Sequence, residues 1–322
     1  MSAARPVVLL AGRVHPRVRE RVEAEFDAVS VEAADVGLMS DETRTRIRGI
    51  AAATAISAEF IDSLPKLEVI ANFGVGYDAV DATHAATRNV MVTNTPDVLS
   101  DEVADTTVGL LLNTLREFPK AEAYLRAGRW AAEGAYPLTS LTLRGRTIGI
   151  FGLGRIGLAI ARRLEAFGLP IHYHTRTKRS DVNYPWHASL IDLASAVDTL
   201  IVVVPGGAAT EKAVNSDILG ALGPQGVLIS VGRGTTIDEP ALITALTDRT
   251  IAAAGLDVFA HEPNVPQALM DLPNACLLPH VASASVSTRN GMADLVVDNL
   301  EAWLAGRPAL TPVPECTVFD RA

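Results

Sequence analysis

The sequence predicts an α/β protein with two doubly wound parallel sheets. Short apolar runs alternate with helical patterns along the whole chain. Runs that are apolar on both faces and separated by helical patterns are typical of parallel strands that helices cover. About ten such runs occur in the 322 residues, which is more than one compact sheet usually contains. Two sheets, each in its own domain, therefore explain the pattern better than one.

The composition is that of a globular protein and disfavours several classes of function. Hydrophobic residues make up 48% of the chain and charged residues 20%, and the net charge of −9 argues against a general nucleic-acid or anionic-membrane partner. No apolar run approaches the roughly 18 residues that span a bilayer. Cys276 and Cys316 lack the spacing of a disulfide framework or a metal site. We expect a soluble, cytoplasmic protein without a metal.

The apolar runs fall into two groups. Four lie in the first third of the chain and predict the first sheet: PVVLLAG, AAATAIS, LEVIANFG and VMVTNT. The run that begins at Val7 is short for the apolar part of a signal peptide and is followed at once by Arg13, so we interpret it as a core strand. The others predict the second sheet: TIGIFG, PIHYHT, TLIVVVP, GVLISVG, AAAGLDVF and ACLLPHV.

Two long helical patterns mark the predicted domain boundaries. One begins at Ser100, where Asp101 and Glu102 stand in the first turn and interact favourably with the helix dipole. The other begins after residue 285 and returns the chain to the first domain. The predicted substrate-binding domain is therefore 1–99 with 286–322, and the predicted dinucleotide-binding domain is 100–285.

A glycine-rich loop follows the run TIGIFG and opens a helical pattern. Its GxGxxG spacing stands in the strand–loop–helix context that dinucleotide-binding loops require. In such loops the first glycine permits the tight turn, the second lets the backbone approach a pyrophosphate, and the third allows the helix to pack closely on the strand. Backbone N–H groups at the start of the helix bind the anion. The sequence predicts a Rossmann domain with cofactor contacts at Gly152, Leu153, Gly154, Arg155, Ile156 and Gly157.

The end of the next predicted strand indicates which dinucleotide binds. NAD sites usually carry an Asp or Glu there, which binds the ribose 2′-hydroxyl. This chain has TRTKR instead, and its hydroxyls and cations suit a 2′-phosphate that an acid would repel. A solvated basic turn, or a return of Asp181 to the ribose, are the alternatives. We predict NADP(H), bound by Thr175, Arg176, Thr177, Lys178 and Arg179.

Three residues that follow later apolar runs could form a catalytic group. Arg233, Glu262 and His280 stand just after predicted strands, where open parallel sheets place ligand sites. Reduction of a ketone forms an alkoxide that needs a proton, and histidine ordinarily titrates near neutral pH. A carboxylate partner favours the protonated ring and fixes its tautomer, whereas a planar guanidinium can bind a substrate carboxylate in two places. Taken singly, each residue could instead be an ordinary loop or strand-end residue.

In this order, the motifs resemble the D-isomer-specific 2-hydroxyacid dehydrogenase family over almost the whole chain, including ANFGVGYDAVD near residue 75. The similarity is greatest to the glyoxylate/hydroxypyruvate and hydroxyphenylpyruvate reductase branch, through GAYPLTSLTLRGRTIGIFGLGRIG and TRTKR. The resemblance implies a Rossmann cofactor domain inserted into a flavodoxin-like substrate domain. It also implies that Arg233 binds the substrate carboxylate and carbonyl, that His280 is the acid/base, and that Glu262 orients and charges His280.

The resemblance implies further contacts with both ligands. The substrate is expected at Val75, Gly76, Arg233 and His280. Asp257 is expected to meet the nicotinamide carboxamide, and the other cofactor contacts expected in this half of the domain are Val204, Pro205, Val231, Arg233, His280 and Ser283. The segment HVASAS departs from the family pattern, because many relatives have a glycine before the residue that corresponds to Ser283.

Together these features predict an NADPH-dependent reductase of small 2-keto acids, with hydroxypyruvate and glyoxylate as substrates and tolerance of phenylpyruvates. The resemblance also implies a homodimer that uses the helix from Ser100 and the arm EFPKAEAYLRAGRW. Leu111, Leu112, Leu115 and Tyr124 are expected to be exposed and to supply apolar surface for it. Two other classes stay open: a dinucleotide-sensing, corepressor-like binding protein of the same fold, and a methyltransferase, which has no use for the ordered Arg, Glu and His.

Overall fold

The computed structural model describes residues 5–317, which form two compact units, 5–99 with 285–317 and 100–284. The strands, in chain order, are β1 (Val7–Ala11), β2 (Asp27–Val31), β3 (Ile47–Ala52), β4 (Val69–Asn72), β5 (Met91–Thr93), β6 (Ile148–Phe151), β7 (Ile171–His174), β8 (Trp186–His187), β9 (Thr199–Val202), β10 (Val227–Ser230), β11 (Ala253–Leu256) and β12 (Ala275–Leu277).

The helices, in chain order, are α1 (Pro16–Glu25), α2 (Asp41–Arg44), α3 (Ala58–Asp62), α4 (Ala82–Thr87), α5 (Ser100–Arg116), α6 (Phe118–Arg126), α7 (Arg129–Glu133), α8 (Arg155–Glu165), α9 (Leu190–Ala196), α10 (Ser216–Leu222), α11 (Glu239–Thr247), α12 (Gln267–Met270) and α13 (Val286–Leu304). Single turns of 3₁₀ helix occur at Val36–Leu38, Gly234–Thr236 and Pro314–Cys316.

The first unit is built on a five-stranded parallel sheet with the order β2-β1-β3-β4-β5. This is the flavodoxin-like order. Every residue of β1 and β4 is buried, as expected for parallel strands with helices on both faces. α13 packs against β3, β4 and α1, and Arg21 of α1 forms ion pairs with Asp294 and Asp298 of α13. The last long helix of the chain thus belongs to the first sheet.

The second unit contains a seven-stranded parallel sheet with the order β12-β11-β10-β9-β6-β7-β8. Numbered within the unit, this is the Rossmann order 3-2-1-4-5-6 with one further strand, β12, at the edge. The central strands β6, β9, β10 and β11 are buried along their whole length. The predicted fold class, two doubly wound parallel sheets, is confirmed.

Helix α5 begins at Ser100, as predicted, but its apolar residues do not form a free surface. It packs against α8 and β11 of its own unit. Leu111 and Leu115 of α5 and Tyr124 of α6 are buried, with 0%, 1% and 8% of their surface exposed, and Leu112 is half-buried. The expectation that these residues supply exposed apolar surface is therefore wrong. The large apolar side chains that are exposed after α5 are Phe118, Leu125 and Trp130 of the predicted arm and, beyond it, Leu138.

Candidate active site

One edge of the seven-stranded sheet carries most of the predicted site residues. Parallel strands end at the same edge, which is where ligands bind in open α/β sheets. The glycine-rich loop follows β6 and the TRTKR turn follows β7. The ends of β9 to β12 are followed in turn by Val204 and Pro205, by Val231 and Arg233, by Asp257, and by His280 with Ser283 beyond it.

The glycine-rich loop has the close packing that the GxGxxG spacing predicts. Gly152 has a φ of +100°, and a Cβ on it would lie 2.7 Å from Cγ1 of Val204. A Cβ on Gly157 would lie 2.2 Å from the carbonyl oxygen of Gly152, so neither position accepts a side chain. Beside Gly154, in contrast, no atom of residues 5–317 other than those of Gly154 and its two chain neighbours lies within 4 Å of a Cβ position. The positive end of the α8 dipole thus lies beside an open space that fits an anion.

The turn after β7 presents hydroxyl groups and cations. The side chains of Arg176, Thr177 and Lys178 are exposed. The Thr175 hydroxyl donates to the Thr177 carbonyl at 2.7 Å, and Nε1 of Trp186 donates to the Thr175 carbonyl at 3.1 Å. The first bond holds the backbone of the turn from inside the turn itself, and the second ties it to β8.

Arg179, the last residue of this turn, is held differently from its neighbours. Its guanidinium donates to the Leu153 carbonyl at 2.6 Å and pairs in a bidentate manner with the carboxylate of Asp181. That pairing lowers the pKa of Asp181, so this carboxylate is ionised at neutral pH. Asp181 therefore neutralises Arg179 rather than standing free for a ribose.

Glu262 and His280 form the pair that the sequence predicts. Oε2 of Glu262 lies 2.7 Å from Nδ1 of His280, and Oε1 accepts the backbone N–H of Phe259 at 3.0 Å. Burial raises the pKa of Glu262, but the hydrogen bonds from His280 and Phe259 and the nearby charge of Arg233 outweigh it, so the net pKa is lowered. The carboxylate is thus ionised at neutral pH, and it leaves Nε2 of His280 as the ring nitrogen for a reacting group.

Asp257 is fully buried and fixes the backbone that follows His280. Its carboxylate accepts the N–H groups of Val281 and Ala282 at 2.7 and 2.9 Å. Burial raises the pKa of Asp257, and the two N–H bonds oppose that rise. His280 itself has a φ of +54°, a left-handed conformation that costs a non-glycine residue roughly 1–2 kcal/mol. The two bonds from Asp257 therefore hold His280 in a backbone conformation that it would not adopt alone.

Arg233 is half-buried beside this pair. Its Nη1 donates to the Gly232 carbonyl at 3.0 Å, and its charge contributes to the lowered pKa of Glu262. The residue after Arg233, Gly234, cannot be replaced by a residue with a side chain, since a Cβ there would lie 1.9 Å from the carbonyl carbon of Phe259. Glu262 and His280 also line an apolar cavity of about 270 Å³.

The loop with Val75 and Gly76 lies in the first unit, after β4. Nδ2 of Asn72 donates to the carbonyls of Gly74 and Gly76, at 3.2 and 3.0 Å, and Nδ2 of Asn94 donates to the carbonyl of Val75 at 2.7 Å. In a planar trans peptide the N–H points opposite to the carbonyl. The two amides therefore direct the N–H groups of the same peptides, those of Val75, Gly76 and Tyr77, to the side opposite the held carbonyls.

Asn72 and Asn94 were missed by the sequence reasoning, although a signal was present. Each stands at the carboxyl end of an apolar run, in LEVIANFG and VMVTNT. An amide at the end of a buried strand needs partners, and a glycine-rich loop offers carbonyls.

Residues 5–317 contain no group of three or more His, Cys, Asp or Glu side chains that could bind a metal ion. None of the helices in this range is long and apolar enough to cross a membrane.

Comparison with known proteins agrees with the resemblance. The family described as "D-isomer specific 2-hydroxyacid dehydrogenase, NAD binding domain" matches residues 108–282. The hydroxyphenylpyruvate reductase of Plectranthus scutellarioides is 50% identical, over 80% of this chain and 81% of that protein. A glyoxylate/hydroxypyruvate reductase of Arabidopsis thaliana is 46% identical, over 84% of this chain and 86% of that protein.

A solved structure is similar over the whole length. It is that of an NADPH-dependent glyoxylate/hydroxypyruvate reductase from Sinorhizobium meliloti in complex with NADP and malonate. The two chains are 60% identical, with a TM-score of 0.96 and coverage of 99% of this chain and 100% of that one.

Proposed function

We propose a reaction for this chain, which belongs to the D-isomer-specific 2-hydroxyacid dehydrogenase family. It is an oxidoreductase that uses NADPH to reduce small 2-keto acids, hydroxypyruvate and glyoxylate among them, to 2-hydroxy acids, which have the D configuration wherever the product is chiral. The observation that carries the proposal is the Glu262–His280 pair at 2.7 Å, at the sheet edge that also holds the glycine-rich loop and Arg233. The names of the relatives support the choice of substrates and cofactor.

The proposed cofactor site uses the loop after β6 and the turn after β7. The open space beside Gly154 and the start of α8 fit a pyrophosphate. The exposed Arg176 and Lys178, with Thr175 and Thr177, fit a 2′-phosphate. No acid occupies that turn, and Asp181 is paired with Arg179. When bound, NADPH supplies the hydride that the ketone carbon receives.

His280 is the proposed proton donor. The ionised Glu262 holds the ring through Nδ1, so that Nε2 faces the substrate and gives its proton to the carbonyl oxygen as negative charge develops there. Arg233 binds the substrate carboxylate and stabilises the same oxygen. For the N–H groups of Val75 and Gly76 we propose carboxylate binding, because Asn72 and Asn94 hold the carbonyls of the same two peptides.

The other proposed cofactor contacts rest on family membership and on their place at the sheet edge. They are Val204, Pro205, Val231 and Ser283, together with Asp257, Arg233 and His280. For Asp257 the structure adds a further role, since both of its oxygens already accept backbone N–H groups.

We also propose that the chain forms a homodimer through the arm that contains α6 and α7. Phe118, Leu125, Trp130 and Leu138 expose 48%, 54%, 62% and 99% of their surface within one short segment. Such a concentration of exposed large apolar side chains is typical of an interface. Light scattering is expected to give twice the mass of 34.0 kDa, and a mass near the single-chain value at micromolar concentration contradicts the dimer. A cytoplasmic location is proposed on the two free cysteines.

A panel of keto acids tests the proposed substrates. Initial rates with NADPH are compared for hydroxypyruvate, glyoxylate, phenylpyruvate and pyruvate, and the configuration of the product is determined. We expect the highest kcat/KM for hydroxypyruvate or glyoxylate. We also expect the D configuration in the glycerate formed from hydroxypyruvate, since the glycolate formed from glyoxylate is achiral. If kcat/KM for pyruvate exceeds both by about tenfold, the enzyme is a D-lactate dehydrogenase instead. Binding of NADPH without turnover of any keto acid would favour the corepressor-like alternative.

A further inference from the structure

We propose that Arg179 is a positioning residue that ties the turn after β7 to the glycine-rich loop, in contrast to Arg176 and Lys178, which the proposed function already assigns to the 2′-phosphate. The inference rests on the proposed use of NADP(H). It gives Arg179 a role different from that of Arg176 and Lys178, although the sequence alone does not distinguish the three cations. The difference follows from the bonds that each side chain makes.

The side chain of Arg179 is fixed by two groups on opposite sides of its guanidinium. Nη1 donates to the Leu153 carbonyl at 2.6 Å, Nε donates to Oδ1 of Asp181 at 2.9 Å, and Nη2 donates to the other oxygen of Asp181. A bidentate pair sets the orientation of the guanidinium plane as well as its position. Its charge is balanced by the carboxylate that it contacts.

The backbone of Arg179 is fixed as well. Its N–H donates to the hydroxyl of Tyr173 at 2.9 Å. Tyr173 lies in β7 and is fully buried, so it anchors the end of the turn to the strand that leads into it. Arg179 therefore joins three things: the strand, the acid at position 181 and the loop after β6.

The bond to Leu153 affects the part of the site that NADPH and NADH share. The peptide between Leu153 and Gly154 is trans, so its N–H points opposite to the carbonyl that Arg179 holds. Fixing this carbonyl fixes the direction of the Gly154 N–H, in the loop that we propose for the pyrophosphate. Loss of the bond should thus weaken both dinucleotides.

Arg176 and Lys178 make no such bonds. Both side chains are exposed, and neither has a hydrogen bond or an ion pair with any part of residues 5–317. Their charges are available to a ligand, and only a cofactor with a 2′-phosphate uses them. Loss of Arg176 should thus weaken NADPH and leave NADH unchanged.

Calorimetric titration with NADP⁺ and with NAD⁺, in the absence of keto acid, separates the two roles. We expect Arg179→Gln to weaken both nucleotides by the same factor, about tenfold for one lost charge-assisted bond. Arg179→Lys should behave in the same way, because an ammonium group keeps the charge but cannot make the three bonds. The matched control, Arg176→Gln, should weaken NADP⁺ by about tenfold or more and leave NAD⁺ unchanged.

The proposal is overturned if Arg179→Gln weakens NADP⁺ alone, or if Arg179→Lys binds NADP⁺ as wild type does. Should Arg179→Gln fail to fold, Asp181→Asn gives the same test, because it loosens the guanidinium without removing it. Equal losses for both nucleotides in that variant support the proposal, and unchanged affinity for both contradicts it. A wild-type protein that prefers NAD⁺ contradicts the proposed cofactor instead. The Arg179 variants still test the positioning role in that case, because that role predicts the same loss for both nucleotides.

Discussion

Replacing Asp257 with asparagine should damage catalysis and stability together, because one carboxylate holds two backbone N–H groups in a buried place. Both oxygens of Asp257 are used, by Val281 and Ala282, and the side chain is fully buried. An asparagine has one carbonyl oxygen, so one of the two N–H groups must face an NH₂ group. A buried donor without an acceptor costs about 1–3 kcal/mol.

The backbone conformation of His280 indicates how far Asp257→Asn should reduce activity. His280 has a φ of +54°, which costs roughly 1–2 kcal/mol and is held by the bonds that Asp257 makes to the next two residues. If Asp257→Asn releases this strain, His280 leaves the geometry in which it pairs with Glu262. We therefore expect kcat/KM to fall by about tenfold or more. The melting temperature should fall by about 2–4 °C for each kcal/mol lost.

Steady-state kinetics and thermal unfolding, measured on the same preparations, test this reasoning. The matched control is Arg146→Gln. Arg146 is also buried, and it bonds to the hydroxyl of Thr199 and to two carbonyls at the opposite edge of the same sheet. The control should lose stability and keep kcat/KM. A variant Asp257→Asn that loses stability alone, as the control does, would refute the role of Asp257 in positioning His280.

Three further variants address the Glu262–His280 pair and Arg233. His280→Ala should abolish turnover while binding of NADP⁺ persists. Arg233→Ala should raise KM and lower kcat, because its proposed contact with the substrate exists in both the ground and the transition state; a normal kcat in either variant contradicts the proposed role. Glu262→Gln should lower kcat, because the neutral amide neither balances the charge of the imidazole ring nor holds Nδ1 as the carboxylate does; an unchanged kcat would remove Glu262 from this role. The pKa of Glu262 lies below its ordinary 4.5. The ionised carboxylate therefore contributes fully to stability above the unfolded-state pKa, and this contribution is lost as pH falls through the lower pKa of the folded state. An acid unfolding curve that Glu262→Gln leaves unchanged would contradict this.

The sequence predicted the sheets well wherever strands are buried on both faces. β1, β6, β9, β10 and β11 read as continuous apolar runs because helices cover them. β2, which has exposed and half-buried residues only, was not predicted, and neither was the two-residue β8. Both are edge strands, where burial no longer imposes an apolar pattern. The run AAATAIS overlaps only the end of β3, because the chain bends after Ala52.

The candidate site was predictable where chemistry restricts the residue type. Few residue types can serve as a proton donor, as its carboxylate partner or as a glycine in a tight loop. Glu262, His280 and Gly157 could therefore be predicted from residue type and spacing. The bonds of Arg179 and Asp257 could not, since they depend on side chains that meet only after folding. The sequence also does not distinguish the buried leucines of α5 from an exposed surface. A helix stripe that packs against α8 and β11 has the same apolar pattern as one that forms an interface.

The most direct test of the account is a comparison of NADPH with NADH in the reduction of hydroxypyruvate, followed as the loss of absorbance of the reduced nicotinamide. The turn after β7 offers exposed Arg176 and Lys178 to a 2′-phosphate and no free acid to a 2′-hydroxyl. One or two charge-assisted bonds correspond to a preference of about a hundredfold. The account predicts that kcat/KM for NADPH exceeds that for NADH by about this factor. Equal values for the two cofactors, or a preference for NADH, would contradict it.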